Sequence, residues 1–269
     1  VRVGYQGEER SYSHQAVTDL FPHDEAVGLS SFEEAFSALA SDEIERLVVP
    51  IENSTTGSIL EVLDRLSASN ASIVAEHYGH VRHALIGIPG ATPADVRRVL
   101  SHPEALAQAR ETLAIHDWEP VAVSDTAGAV RLVAQGGDPT QAALAPPESH
   151  RRYALEVLLS DVVDRDHNAT RFVVLAPGSV GVEPDADKSS IRFATAHTPG
   201  ALALALTELG LRGANLTRIE SRPGPTAWTY LFYLDLLHEP GPVGLAGIFE
   251  PPPTSIQELK VLGTYRAAR

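Results

Sequence analysis

The chain has 269 residues, of which 43% are hydrophobic, and a formal net charge of −14 from 21 Lys and Arg against 35 Asp and Glu. That predicts a globular core beneath an acidic surface that repels phosphate backbones and anionic lipid heads, so neither nucleic acid nor membrane is an expected partner. No apolar run approaches the ~20 residues that span a bilayer, and the absence of Cys excludes disulfides, a thiolate nucleophile and a Cys-based zinc site.

The opening VRVGYQGEER has neither a signal-peptide core nor its cleavage site, so a cytoplasmic location is expected. Strands are predicted at residues 1–5, 46–51, 73–75, 84–88, 99–101, 121–123, 142–145 and 172–175. Helical periods lie between them: Ile59, Val62, Leu63 and Leu66 repeat at i, i+3, i+4, i+7, and Leu106, Ala109 and Leu113 follow a similar period. Alternating β and α predicts an α/β unit with parallel strands. Residues 176–188, rich in Pro, Gly and Asp, have no apolar period and are predicted to be a linker. Beyond them come strand 190–196, helix 200–211, strands 215–221 and 228–237, an ambiguous stretch and strand 259–265, a βαββ(α)β order typical of a ferredoxin-like module. Charge changes at the same place. Residues 188–269 carry 8 Lys and Arg against 6 Asp and Glu, whereas residues 1–187 carry 13 against 29.

Four strand ends in the first part pass at once into small polar residues and a helix. Glu52-Asn53-Ser54-Thr55-Thr56-Gly57 precedes a helix from about Ser58, and Ser101-His102 precedes Pro103. Ser124-Asp125-Thr126 opens a helix that should stop at Gly136-Gly137, and Ser11-Tyr12-Ser13-His14 opens a fourth. Helix capping alone explains any one of them. Together they suit a crevice at the carboxyl ends of strands, where free N–H groups receive a small carboxylate. Thr170 and Arg171 sit at the start of the strand ending at Leu175. An Arg fork there suits a carboxylate, although a surface salt bridge is an equal alternative. His77, His80 and His83 share a three-residue spacing without a completing acid, so no metal site is expected. No phosphate-binding glycine motif occurs, and Trp118 and Trp228 are expected to pack.

Seven short motifs, in order along nearly the whole chain, resemble the prephenate dehydratases. They are Gly4-Tyr-Gln-Gly-Glu with Ser11-Tyr-Ser-His-Gln-Ala16, Val49-Pro-Ile-Glu-Asn-Ser54 with Gly57-Ser58, Ser101-His-Pro-Glu-Ala-Leu-Ala-Gln108, Asp125-Thr-Ala-Gly-Ala129, Asn168-Ala-Thr-Arg-Phe172, Pro199-Gly-Ala-Leu202 and Glu220-Ser-Arg-Pro223. The resemblance implies an α/β fold: a two-lobed, periplasmic-binding-protein-like catalytic domain over residues 1–178 and a C-terminal ferredoxin-like (βαββαβ) ACT domain over 188–269. It implies a carbon–oxygen lyase that converts prephenate to phenylpyruvate without metal or other cofactor, in phenylalanine biosynthesis. Thr170 is then the catalytic residue. Glu52, Asn53, Ser54, Gly57, Ser101, His102, Thr126, Ala127, Asn168, Arg171 and Phe172 are expected to bind substrate, with Arg171 holding a carboxylate. The effector L-phenylalanine is expected at Gly200, Ala201, Leu202, Glu220, Ser221, Arg222 and Pro223, between ACT domains that self-associate as dimer or tetramer. Other readings are an arogenate dehydratase and a non-catalytic sensor of small carboxylates.

Three positions depart from the family's pattern. Glu104 replaces a usual Gln, Arg10 replaces a usual Gly, and Pro251-Pro252-Pro253 is expected to shorten or displace the second ACT helix.

Overall fold

Fifteen strands and eight α-helices follow one another in the computed structural model, which describes residues 1–269 except 81, 165–168, 225, 227 and 269. The first lobe is built from β1 (Arg2–Gln6), α1 (Tyr12–Leu20), β2 (Glu25–Leu29), α2 (Phe32–Ala40), β3 (Arg46–Asn53), β4 (Gly57–Ser58), α3 (Leu60–Ala68) and β5 (Ala71–His80). The chain then crosses to the second lobe. There lie β6 (Ala84–Gly87), β7 (Arg98–Ser101), α4 (Pro103–Gln108), α5 (Arg110–Ile115), β8 (Glu119–Ala122), α6 (Thr126–Gly136), β9 (Gln141–Ala145), a 3-10 turn (Pro147–Tyr153) and β10 (Glu156–Leu159). It returns through β11 (Ala169–Pro177) to the first lobe. The C-terminal module is β12 (Lys188–Ala194), α7 (Ala201–Leu211), β13 (Asn215–Pro223), β14 (Tyr230–Leu237), α8 (Gly241–Phe249) and β15 (Gln257–Tyr265).

The expectation of parallel strands holds for β1–β2, β1–β3, β7–β8 and β7–β9. It fails where the chain changes lobes. β11 lies antiparallel between β3 and β5, and β6 is antiparallel to β9 and β10, because a chain that returns from the other lobe enters its sheet from the opposite end. Strands β2, β4 and β10 were not expected from the sequence. The single helix expected through Leu106, Ala109 and Leu113 is broken at Ala109. The Asp164 carboxylate accepts from the backbone N–H of Glu111 and Thr112 at 2.7 and 2.9 Å, capping a new helix start from 52 residues away. α6 ends as expected, with Gly137 in the left-handed conformation. Arg10 takes φ +71°, a conformation that glycine reaches freely and that other residues adopt at a cost of about 1 kcal/mol or more.

Alternation along β11 sorts the first lobe into two cores. Phe172 and Val174 face α1, in a cluster with Val3, Tyr5 and Val17. Val173 and Leu175 face the other way, onto α2, α3 and the C-terminal residues Tyr233, Leu262 and Tyr265. The C-terminal sheet has the order β13–β14–β12–β15 and continues the first lobe's sheet through one residue pair, Gly263 and Ile73. Glycine is required at that seam, since a Cβ on Gly263 would stand 2.2 Å from the Ile73 carbonyl oxygen.

One face of the C-terminal sheet carries α7 and α8 over Ile191, Phe193, Leu234 and Leu236. Its other face is covered by the first lobe, where Tyr233, Leu262 and Tyr265 join the core of α2 and α3. α8 has nine residues and Ile248 lies in the core; the three prolines fall after its end and leave it in place. Trp118 is buried in the second lobe as expected, whereas Trp228, expected to pack, is 83% exposed before β14.

Candidate active site

The cleft between the lobes holds a cavity of about 260 Å³ lined by Tyr12, Asn53, His83, His102, Glu104, Ala105, Gln108, Asp125, Thr126 and Thr170. Thr170, one residue into β11, lies on the face that Phe172 and Val174 share, and so points at the cleft beside α1. Asn53 is directly opposite on β3, and its Nδ2 donates to Thr170 Oγ1 at 3.0 Å. Asn53 is itself fixed, because its Oδ1 accepts from the N–H groups of Thr55 and Thr56 at 2.9 and 3.1 Å. Among the described residues no acceptor takes the Thr170 hydroxyl proton. The hydroxyl therefore accepts on one side and can donate into the cavity.

A one-residue irregularity creates this pairing. The β3–β11 register runs Asn53–Thr170, Glu52–Arg171 and then Pro50–Phe172, so Ile51 is an extra residue on β3. The bulge puts Ile51 and Glu52 in succession on the face of the second core and turns Asn53 toward the cleft. Glu52 consequently meets Arg171 (3.7 Å) and Arg218 (3.5 Å) instead of the cavity.

Across the cleft, α6 presents its N-terminus. Asp125 caps it by accepting from the Gly128 N–H at 2.5 Å, and Thr126 lines the cavity at the positive end of the helix. His102 caps α4 through Nδ1, accepting from the Glu104 N–H at 3.3 Å. The wall beneath is neutral. His83 Nε2 lies 3.2 Å from Gln108 Oε1, and Nδ1 faces the Tyr12 hydroxyl at 3.0 Å, which also donates to the Arg82 carbonyl at 2.8 Å. Burial pushes the His83 imidazole down to about 4 and holds the Tyr12 phenol protonated well above its ordinary range.

Four of the residues expected to act on substrate line this cavity: Asn53, His102, Thr126 and Thr170. Ala127 is the next residue of α6. Ser54 ties the β3–β4 turn to β11, its N–H donating to the Ala169 carbonyl and its hydroxyl accepting from the Ala169 N–H. Gly57 supplies a left-handed residue in that turn. Asn168 lies outside the described residues. Phe172 is buried in the core beside α1, and Ser101 is fully buried with its hydroxyl on the Leu144 carbonyl, so neither side chain reaches the cleft.

Arg171 also leaves its expected role. It is 3% exposed and points away from the cleft, with Nε 2.7 Å from Glu76, Nη1 2.5 Å from Asp235 and Nη2 2.8 Å from the Tyr265 hydroxyl. Adjacent residues on a strand face opposite sides, and Thr170 has taken the cleft side. Lys188, from the C-terminal module, shares Glu76 with Arg171 at 2.8 Å. His83 and Gln108 line the cavity without an expected role, and Tyr12 and Asp125 are expected there only as members of the helix starts that suit a crevice. Gln108 was legible as the residue one turn beyond Glu104 on α4, but His83 sits at the crossover between lobes and carries no local signal.

A sequence profile described as "Prephenate dehydratase" matches residues 3–179. The chain belongs to the prephenate dehydratase family. It is 40% identical over 250 residues to "Arogenate dehydratase/prephenate dehydratase 2, chloroplastic" of Arabidopsis thaliana, covering 87% of this chain and 65% of that protein. The chain thus spans just under two thirds of the length of this plant relative. It is 31% identical to a "Bifunctional N-acyl-homoserine lactone acylase/prephenate dehydratase" of Komagataeibacter europaeus, with 99% of this chain and 96% of that protein covered. The structure of a prephenate dehydratase from Arthrobacter aurescens in complex with L-Phe superposes with a TM-score of 0.84 at 27% identity, covering all of this chain and 90% of that one.

Within this family member the residues expected to sense an effector divide in two. Gly200, Ala201 and Leu202 line a hollow of about 730 Å³ at the start of α7. On β13, Glu220 and Arg222 alternate toward the first lobe, where Glu220 accepts from the Ser58 hydroxyl at 2.7 Å and Arg222 pairs with Asp64 at 2.6 Å. Ser221 and Pro223 alternate outward and are exposed.

Proposed function

We propose that the chain catalyses the decarboxylative dehydration of prephenate to phenylpyruvate, carbon dioxide and water, under control by L-phenylalanine. The single observation that carries this reading is the Thr170 hydroxyl, held by Asn53 at 3.0 Å on the wall of a cleft that Thr126, at the N-terminus of α6, also lines.

In prephenate the ring carboxylate leaves as carbon dioxide. Its bonding pair enters the ring as the C4–O bond breaks, so an aromatic ring forms and the driving force is internal. The difficult partner is hydroxide, which leaves poorly without a proton. A donor fixed where negative charge develops on that oxygen stabilises the transition state more than the ground state. Thr170 is the residue proposed for this role, with the proton finally drawn from solvent. The backbone N–H groups of Thr126 and Ala127 at the start of α6 suit a carboxylate of the substrate. His83, neutral down to about pH 4, orients Tyr12 and Gln108 and does not serve as the acid near neutrality.

A catalytic unit of residues 1–178 and an ACT unit of residues 188–269 is the division this reading adopts. It is supported by the βαββαβ order of the second part and by its separate core. β13 is the outer strand of that sheet, an edge suited to pairing with a second copy. Phenylalanine near residues 200–202 and 220–223 would act by favouring one arrangement of the two units.

The test is direct. The purified chain is incubated with prephenate, and phenylpyruvate is followed with and without phenylalanine. Turnover that phenylalanine lowers supports the reading, whereas binding of small carboxylates without turnover of prephenate or its amino analogue arogenate would make the chain a sensor.

A further inference from the structure

Arg218 lies on β13 of the C-terminal module, nearly buried, and reaches into the first lobe. Its Nη2 donates to Ser58 Oγ at 2.7 Å and its Nε stands 3.5 Å from a Glu52 oxygen. Glu52 and Ser58 are cross-strand partners on β3 and β4. One guanidinium thus spans both strands of the turn that carries Asn53. The Ser58 hydroxyl donates in turn to the Glu220 carboxylate, two residues along β13, which closes the contact from the same strand. The next pair in the register is Asn53 with Gly57, and Asn53 is the residue whose amide holds Thr170.

We propose that Arg218 is a positioning residue for Thr170: it clamps the base of the β3–β4 turn and so fixes the reach of Asn53 to the Thr170 hydroxyl. The inference deepens the functional reading above and rests on it. A planar fork with several fixed donors can hold two oxygens on adjacent strands, which a single ammonium cannot. The clamp comes from the C-terminal module, so a displacement of β13 acts on the catalytic hydroxyl through two hydrogen-bonded steps. It joins a balanced set of charges. Arg218, Lys188 and Asp235 come from the module, and Arg171, Glu76 and Glu52 come from the first lobe, giving three cations and three anions across the seam. The module's share is net positive and the lobe's share net negative, so neither share is neutral alone.

The test is a double-mutant cycle in the full chain. Arg218→Ala should lower kcat about tenfold with KM within about twofold, since the misplaced group acts mainly in the transition state. Combined with Asn53→Ala it should add no further loss, because both changes break one chain of contacts. Arg218→Lys should recover melting temperature but not kcat. Amide exchange at Thr55 and Thr56, whose N–H groups rest on Asn53, should quicken in Arg218→Ala. Unchanged kcat and unchanged exchange, or losses that multiply in the double variant, would overturn the proposal. Should Arg218→Ala not fold, Ser58→Ala removes the other end of the clamp and enters the same cycle. A parent chain inactive on prephenate and arogenate would sink the functional reading alone, and the exchange measurement would still decide the clamp.

Discussion

Arg171, adjacent in sequence to the cleft residue Thr170, meets Asp235 of the C-terminal module at 2.5 Å with both side chains almost wholly buried. Burial opposes ionisation of Asp235, but Arg171 and then Arg218 hold its carboxyl below the usual range. Removing one member of such a pair leaves a buried charge unpaired, which costs about 3–5 kcal/mol. Arg171→Met should therefore lower the melting temperature by roughly 10 °C and leave KM for substrate nearly unchanged. Arg171→Met with Asp235→Leu should cost less than the two single changes added together. A large rise in KM without loss of stability would return Arg171 to carboxylate binding.

The hydroxyl of Thr170 is predicted to act in the transition state. Thr170→Val keeps the shape of the side chain and removes only the donor, so kcat should fall by about 10²-fold or more while the melting temperature stays within a few degrees. Steady-state kinetics with a thermal melt separates this from misfolding. A folded variant with near-parental kcat would assign the proton to another group.

His83 makes stability depend on pH in a defined window. Its folded value is about 4 against an ordinary 6.5, because burial disfavours the charged ring. Between those values the unfolded chain binds more protons, so stability rises with pH across the window and is fully present above 6.5. Acidification from 6.5 to 4 should remove about 3 kcal/mol through this residue alone. Denaturant unfolding of the parent and of His83→Gln at pH 7 and pH 4.5 would reveal it. The variant should lose less stability between the two pH values, and an identical loss would show that His83 is not held neutral.

Most strand positions in residues 1–175 were legible because apolar residues alternate or cluster there and small polar residues mark their ends. Thr170 was marked out by the resemblance of Asn168-Ala-Thr-Arg-Phe172 to the family's motif, while the pattern itself showed only that it stands at a strand start. Two other things were not legible. The extra residue at Ile51 reverses which of Glu52 and Asn53 faces the cleft, and nothing local in Pro50-Ile51-Glu52 announces a bulge. The burial of Arg171 depends on Asp235, Tyr265 and Glu76, which stand 64 to 95 residues away in the chain. A cation beside the proposed catalytic threonine looks like a substrate anchor until the strand's alternation and its covering layer are known. The broken helix at Ala109 has the same cause, since Asp164 supplies its cap from another part of the chain.

Under the proposed reaction, Glu104 is predicted to bias the cleft between prephenate and arogenate. Its side chain borders both the 260 Å³ cavity and an adjoining hollow of about 340 Å³ that carries Arg110. Among the described residues no cation pairs with its carboxylate at salt-bridge distance. Prephenate enters with two negative charges, whereas arogenate carries an ammonium in place of the side-chain carbonyl and has one net negative charge. A carboxylate on the cavity wall repels the first more than the second. In a partly solvated cleft the difference is about 1 kcal/mol. Glu104→Gln should therefore raise kcat/KM for prephenate relative to arogenate by about fivefold to tenfold, and the shift should shrink as salt is added. Paired assays of both substrates at low and high ionic strength check it. A ratio that does not move would place the Glu104 carboxylate beyond the reach of the group that distinguishes the two molecules.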